Sequence, residues 1–60
     1  MQIQKDEIRN RILAVASREF INNGVKRTSI KTIASKANVA VGNVYNYYKG
    51  KDDLLRAVLA

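Results

Sequence analysis

The sequence predicts an all-α domain with a three-helix core and the start of a fourth helix. Three observations carry this expectation. Apolar residues recur at helical spacing in successive stretches. Gly24, Asn38 and Gly50 fall between those stretches. The 60 residues contain no Pro, no repeat and no low-complexity linker.

In the first stretch Ile8, Ile12, Ala16 and Phe20 lie four apart, and Leu13 and Val15 widen the stripe. This is a helix with one apolar face, expected over about residues 5–22. Asn23-Gly24 is its stop, because Gly enters the left-handed conformation without a Cβ penalty. Thr28 and Ser29 open the second helix, expected over 29–36, where a hydroxyl can cap an orphan backbone N–H. Ile30, Ile33, Ala34 and Ala37 then share one face, and the small Ala34 and Ala37 let another helix approach closely. Asn38 tolerates left-handed φ and predicts a tight turn, with Val39 as an apolar plug. A third helix is expected over 41–47, with Val44 and Tyr48 facing in and Gly42, Asn43, Tyr45, Asn46 and Tyr47 facing out. A fourth is expected over 51–60. Asp52 and Asp53 suit the dipole of its first turn, and Leu54, Leu55, Val58 and Leu59 form its apolar side. The helical pattern runs to Ala60 without a stop signal, which predicts that the chain is a piece of a longer protein.

Composition narrows the function. A chain this short buries only about 60% of the surface its unfolded form exposes. With no Cys and no His, disulfides, zinc fingers and the commonest general base and thiol nucleophile are excluded. There is little room for a ligand-sized pocket. The expectation is a non-enzyme with no cofactor and no metal. Eleven Lys and Arg against five Asp and Glu give a net charge of +6, which points to an anionic partner. The excess is local: Lys26, Arg27, Lys31, Lys36, Lys49 and Lys51 occur in a stretch without an acid from Phe20 through Lys51. MQIQKDEIRN has no apolar core of a leader, and no run approaches a bilayer span. A cytoplasmic protein fits.

Two short helices across a tight turn, the second with polar and aromatic groups outward, form a helix-turn-helix arrangement. Asn43 and Asn46 are then placed to reach base edges in a major groove, and basic residues flank the unit where phosphates would lie. Each position also has a plainer reading. Thr28 and Ser29 bind a phosphate at a helix N-terminus, or simply cap it. Lys31 reaches a phosphate or the groove edge, or is solvated. Asn43 pairs with adenine, or is a solvated helix residue; Asn46 reads a base, or is merely exposed. Val41 touches a thymine methyl, or packs at the turn. Gly42 permits close backbone approach. Lys26, Arg27, Lys36 and Lys49 are steering charges.

The string TSIKTIASKANVAVGNVYNYYKGKDDLL resembles the DNA-binding region of the TetR (tetracycline-repressor-like) transcription regulators. Thr28, Ser29, Ile33, Ala34, Ala37, Val39, Gly42, Tyr45, Tyr47, Lys51 and Leu54 match its pattern. Upstream, ILAVASREFINNG resembles the family's first helix through Phe20 and Gly24. Three positions depart from the pattern. Asn38 replaces Gly, Ala40 replaces a capping Ser or Thr, and Tyr48 replaces Phe, adding a hydroxyl that must find a partner or reach water. The resemblance implies a homeodomain-like helix-turn-helix and phosphate contacts by Tyr45, Tyr47 and Lys51, the plainer reading of the two tyrosines being partial core packing. It also implies a homodimer on a palindromic operator in double-stranded DNA, repression in most cases, and a C-terminal domain, absent from this chain, that binds a small-molecule effector and makes the dimer. The alternatives are another helix-turn-helix DNA-binding module or a helical protein-interaction module with a basic face. No membrane partner is expected, because exposed asparagines have no use at a lipid surface.

Overall fold

The computed structural model describes residues 5–60; residues 1–4, part of the stretch read for a leader, lie outside the described residues. Four helices follow in order: α1 Lys5–Asn23, α2 Ile30–Ala37, α3 Val41–Tyr47 and α4 Lys51–Leu59. Among the described residues there is no strand. α1 is one residue longer than the sequence predicts. α2 begins at Ile30 because Ser29 stands outside the helix as its cap, and it runs on through Ala37. The bounds of α3 agree with the expectation, and α4 ends one residue earlier.

α1 is the element on which the others are assembled. It packs against α2 and α4, and α2 packs against α3. Each helix sends a branched aliphatic side chain to full burial: Ile12, Ile33, Val44 and Leu54 all have 0% exposure. Ala16, Phe20, Ala34, Ala37 and Tyr48 complete the core. Ala34 is 1% exposed, so its small side chain lies in the close helix contact that its position predicts. Leu13, Val15, Val39, Leu55 and Val58 pack at the core's margin.

The turns follow from local chemistry. Gly24 has φ +83, and its N–H donates to Phe20 O at 2.9 Å, closing α1. Asn38 has φ 60 and ψ 45. Its N–H donates to Ser35 O at 3.2 Å, and the Val39 N–H donates to Ala34 O at 3.0 Å. This pairing satisfies the last carbonyls of α2 and fixes the direction in which α3 departs. Ala40 takes extended angles before α3 but has no side-chain oxygen with which to cap it. The first turn of α4 is held differently: Asp53 Oδ2 reaches back to accept from the Lys49 N–H at 2.9 Å.

Tyr48 is the core's polar anomaly. It is 7% exposed, and its hydroxyl has no hydrogen-bond partner among the described residues. Burial raises its pKa above the ordinary tyrosine value; Arg9 opposes the shift and Asp53 adds to it. The unfolded chain therefore ionises first. The stability held by the neutral phenol is complete below about pH 10 and is lost as pH climbs through the raised native value. Tyr48→Phe removes a buried unsatisfied group, so it should raise stability by about 1 kcal/mol at neutral pH. It should also reduce the alkaline loss. Urea denaturation of both proteins at pH 7 and above pH 10 checks both effects.

Candidate nucleic-acid interface

The beginnings of α2, α3 and α4 converge on one shallow open depression. Its lining includes Lys26, Arg27, Ser29, Lys31, Val41, Tyr45 and Lys51. Four of these carry a positive charge and none carries a negative one. Sequence separates Lys26 from Lys51 by two helices and a turn; the fold brings them to one surface. Lys26 and Arg27, read from sequence as steering charges, are thus part of the depression's wall.

Ser29 supplies the α2 cap. Its Oγ accepts from the Thr32 N–H at 3.1 Å and donates to Thr32 Oγ1 at 3.0 Å. The residue remains exposed and lines the depression. Thr28 does something else. It is 2% exposed, and its hydroxyl donates to Gly24 O at 2.8 Å and to Glu19 O at 3.2 Å. Its single proton is spent inside the α1–α2 corner. Its hydroxyl proton is therefore not available to cap α2 or to meet a phosphate, although the residue is part of the depression's lining.

α3 presents two edges. Val41 and Tyr45, 39% and 51% exposed, stand one turn apart and line the depression. Gly42, Asn43 and Asn46 lie away from it. Gly42 and Asn46 are exposed and Asn43 is half-buried. Asn46 Nδ2 donates to Asn43 Oδ1 at 3.3 Å. A Cβ added to Gly42 would meet nothing within 4 Å, so no contact inside the chain requires glycine there. Tyr47 departs from the outward placement expected of it: it is half-buried and packs against the core. Tyr47 lies three residues after the fully buried Val44, so helical geometry brings it to the same side of α3. Lys51 is half-buried at the start of α4, and Lys31 is exposed on α2.

Glu19 is the residue that sequence reasoning missed. It is 4% exposed, on the face of α1 that meets α2. Its Oε1 accepts from Asn23 Nδ2 at 3.1 Å, and its Oε2 accepts from Lys36 Nζ at 3.0 Å. Lys36, read as a steering charge, is an internal partner instead. The available signal was an acid next to Phe20 on an apolar stripe, but only the α1–α2 packing shows which cation it meets. Among the described residues no group of acids is placed to hold a metal ion, and no helix is long and apolar enough to cross a membrane.

Comparison with known proteins shows the family and the fold. The family model for "Bacterial regulatory proteins, tetR family" matches residues 12–58. The chain is 40% identical over 57 residues to the HTH-type transcriptional regulator SrpR of Pseudomonas putida, covering 95% of this chain and 27% of that protein. It is 31% identical over 51 residues to the HTH-type transcriptional repressor KstR2 of Mycolicibacterium smegmatis, covering 85% of this chain and 25% of that protein. A crystal structure of a mutant HlyIIR protein superposes with a TM-score of 0.90 at 32% identity, covering 93% of this chain and 32% of that one. The chain therefore spans about a quarter of the length of these curated relatives.

The Glu19–Lys36 pair sets a stability expectation. Lys36→Met leaves a buried carboxylate with Asn23 alone. The cost should be about 1–2 kcal/mol, below the ~3–5 of a fully buried pair, because the Lys36 side chain is 57% exposed. The double variant Glu19→Leu/Lys36→Met should recover most of that loss. Urea midpoints of the two variants check this.

Proposed function

We propose how a chain that belongs to the TetR family of bacterial regulatory proteins, and that binds DNA through its helix-turn-helix, engages the duplex. α3 enters the major groove while the depression beside it receives a backbone phosphate. The observation that carries this reading is the convergence of Lys26, Arg27, Lys31 and Lys51 with Ser29 and Tyr45 on one acid-free surface. Phosphate contacts position a protein on DNA and base contacts specify the site. The two edges of α3 divide these tasks.

On the phosphate edge, Ser29, Lys31, Tyr45 and Lys51 hold backbone oxygens. Val41 forms the wall between that edge and the groove, within reach of a thymine methyl. Tyr47 is retained as a second phosphate contact on the resemblance alone, and Thr28 is set aside because its hydroxyl is committed internally. On the groove edge, Asn43 and Asn46 meet base edges, and Gly42 lets the backbone come close to the DNA. The full-length protein acts in the cytoplasm as a homodimer on a palindromic operator. It represses transcription and responds to a small molecule bound by a C-terminal domain. The support for this wider reading is the family and a relative that is itself a repressor. Half-sites for such a dimer lie about one helical turn apart, ~34–36 Å, or a multiple of it.

The test is titration of the 60-residue chain with random-sequence duplex DNA at several salt concentrations. Affinity should fall with a log–log slope of about −0.9 per phosphate neutralised. Lys51→Ala should flatten the slope by roughly one. Absence of salt-dependent binding at low salt overturns the interface. Gly42→Ala separates folding from binding. It should stabilise the free domain by at most about 0.5–1 kcal/mol, the cost of a mid-helix Gly against Ala, since Gly42 lies in the first turn, yet weaken DNA binding several-fold. Thermal unfolding and the same titration read the two effects.

A further inference from the structure

α3, with the sequence VGNVYNY, contains no Lys, Arg, Asp or Glu. The charges that hold phosphates come from the segment before α2, from α2 itself and from the start of α4. Val44 is fully buried, Tyr47 packs against the core, and Val41 and Tyr45 face the depression. The polar side chains left on the groove edge are the amides of Asn43 and Asn46.

These two amides are joined: Asn46 Nδ2 donates to Asn43 Oδ1 at 3.3 Å. An isolated Asn amide can present either end outward, because its terminal torsion is broad and roughly two-fold. A hydrogen bond between two amides removes that freedom. Turning Asn43 alone would set NH2 against NH2. Turning both exchanges their roles but still leaves one outward donor and one outward acceptor. In the major groove adenine offers an acceptor, N7, beside a donor, N6–H2, and pairs with Asn or Gln. Guanine offers two acceptors, N7 and O6, and pairs best with Arg or Lys. Cytosine offers a donor, N4–H2, and pairs with an acid. α3 has no basic or acidic residue to favour a G·C pair, whereas the amide pair matches adenine.

We propose that Asn43 and Asn46 act as one unit that makes this domain select an A·T base pair, the outward donor of one amide meeting adenine N7 and the outward acceptor of the other meeting adenine N6–H2. The inference rests on the groove-reading of α3 given above. Affinity then comes from the charged surface and base preference from a neutral helix, so the two properties are separable by mutation.

The experiment is selection from a duplex library with a randomised central segment, bound at low salt to the 60-residue chain and sequenced. The variants are Asn43→Ala, Asn46→Ala and Asn46→Gln, each first shown by circular dichroism to keep its helicity. The wild-type chain should enrich A·T over G·C by about tenfold at one position, within the range that one bidentate base contact supplies. Asn43→Ala and Asn46→Ala should each reduce that preference to about twofold or less. Asn46→Gln, which keeps an amide, should restore part of it. The salt slope should be unchanged throughout, which shows that the phosphate-binding surface is intact in each variant, and the partial rescue by Asn46→Gln ties the loss to the amide. Full A·T preference in Asn46→Ala overturns the coupling. Salt-dependent binding by the wild type with a G·C preference, or with none, overturns the A·T selection and leaves the DNA interface standing. No binding at low salt overturns the groove reading and this inference together.

Discussion

Ile12, Ile33, Val44 and Leu54 come from four different helices and none has exposed surface. Burying each of them contributes about 1.5–3 kcal/mol, in a chain whose size leaves only a marginal surplus over conformational entropy. No disulfide or zinc site reinforces them, since the chain has no Cys and no His. This shared cluster sets the angle at which α2 and α3 meet, and so determines which side chains remain for the surface. α3 commits Val44 to the core and Tyr47 to its margin, and Tyr48, the residue that ends the helix, joins the core. Val41, Gly42, Tyr45 and Asn46 are left exposed, and Asn43 is half-buried.

The charged residues fall into two populations that composition alone does not separate. Glu19 and Lys36 form an internal bridge between α1 and α2, beside the corner where Thr28 ties Gly24 to Glu19. Lys26, Arg27, Lys31 and Lys51 instead share an open surface that no acid lines. Like charges gathered this closely repel one another, and an anion such as a backbone phosphate relieves that repulsion. The corner made by Glu19, Thr28 and Lys36 holds the second helix at the position where its first turn helps form that surface.

Much of this fold was legible in the sequence because the relevant forces act locally. The apolar spacing from Ile8 to Phe20, the left-handed Gly24 and Asn38 and the break at Gly50 placed all four helices to within a residue or so. The outward placement of Gly42 and Asn46 was legible as well, since helical periodicity fixes it once Val44 is known to point inward. The resemblance carried by Gly42, Tyr45, Lys51 and Leu54 named the family that the wider comparison also shows.

Sequence by itself determined the helices, their turns, the basic excess and the helix-turn-helix, because propensity, capping and periodicity depend on neighbours a few residues away. Tertiary structure alone decided that Thr28 is a buried tie, that Lys36 belongs to Glu19 and that Tyr47 leans on the core. It also decided that Lys26 and Lys51 meet on one surface. Those outcomes depend on the distance and angle between helices far apart in the chain. That geometry is set by how Ile12, Ile33, Val44 and Leu54 fill a common space, and helical periodicity carries no information about it.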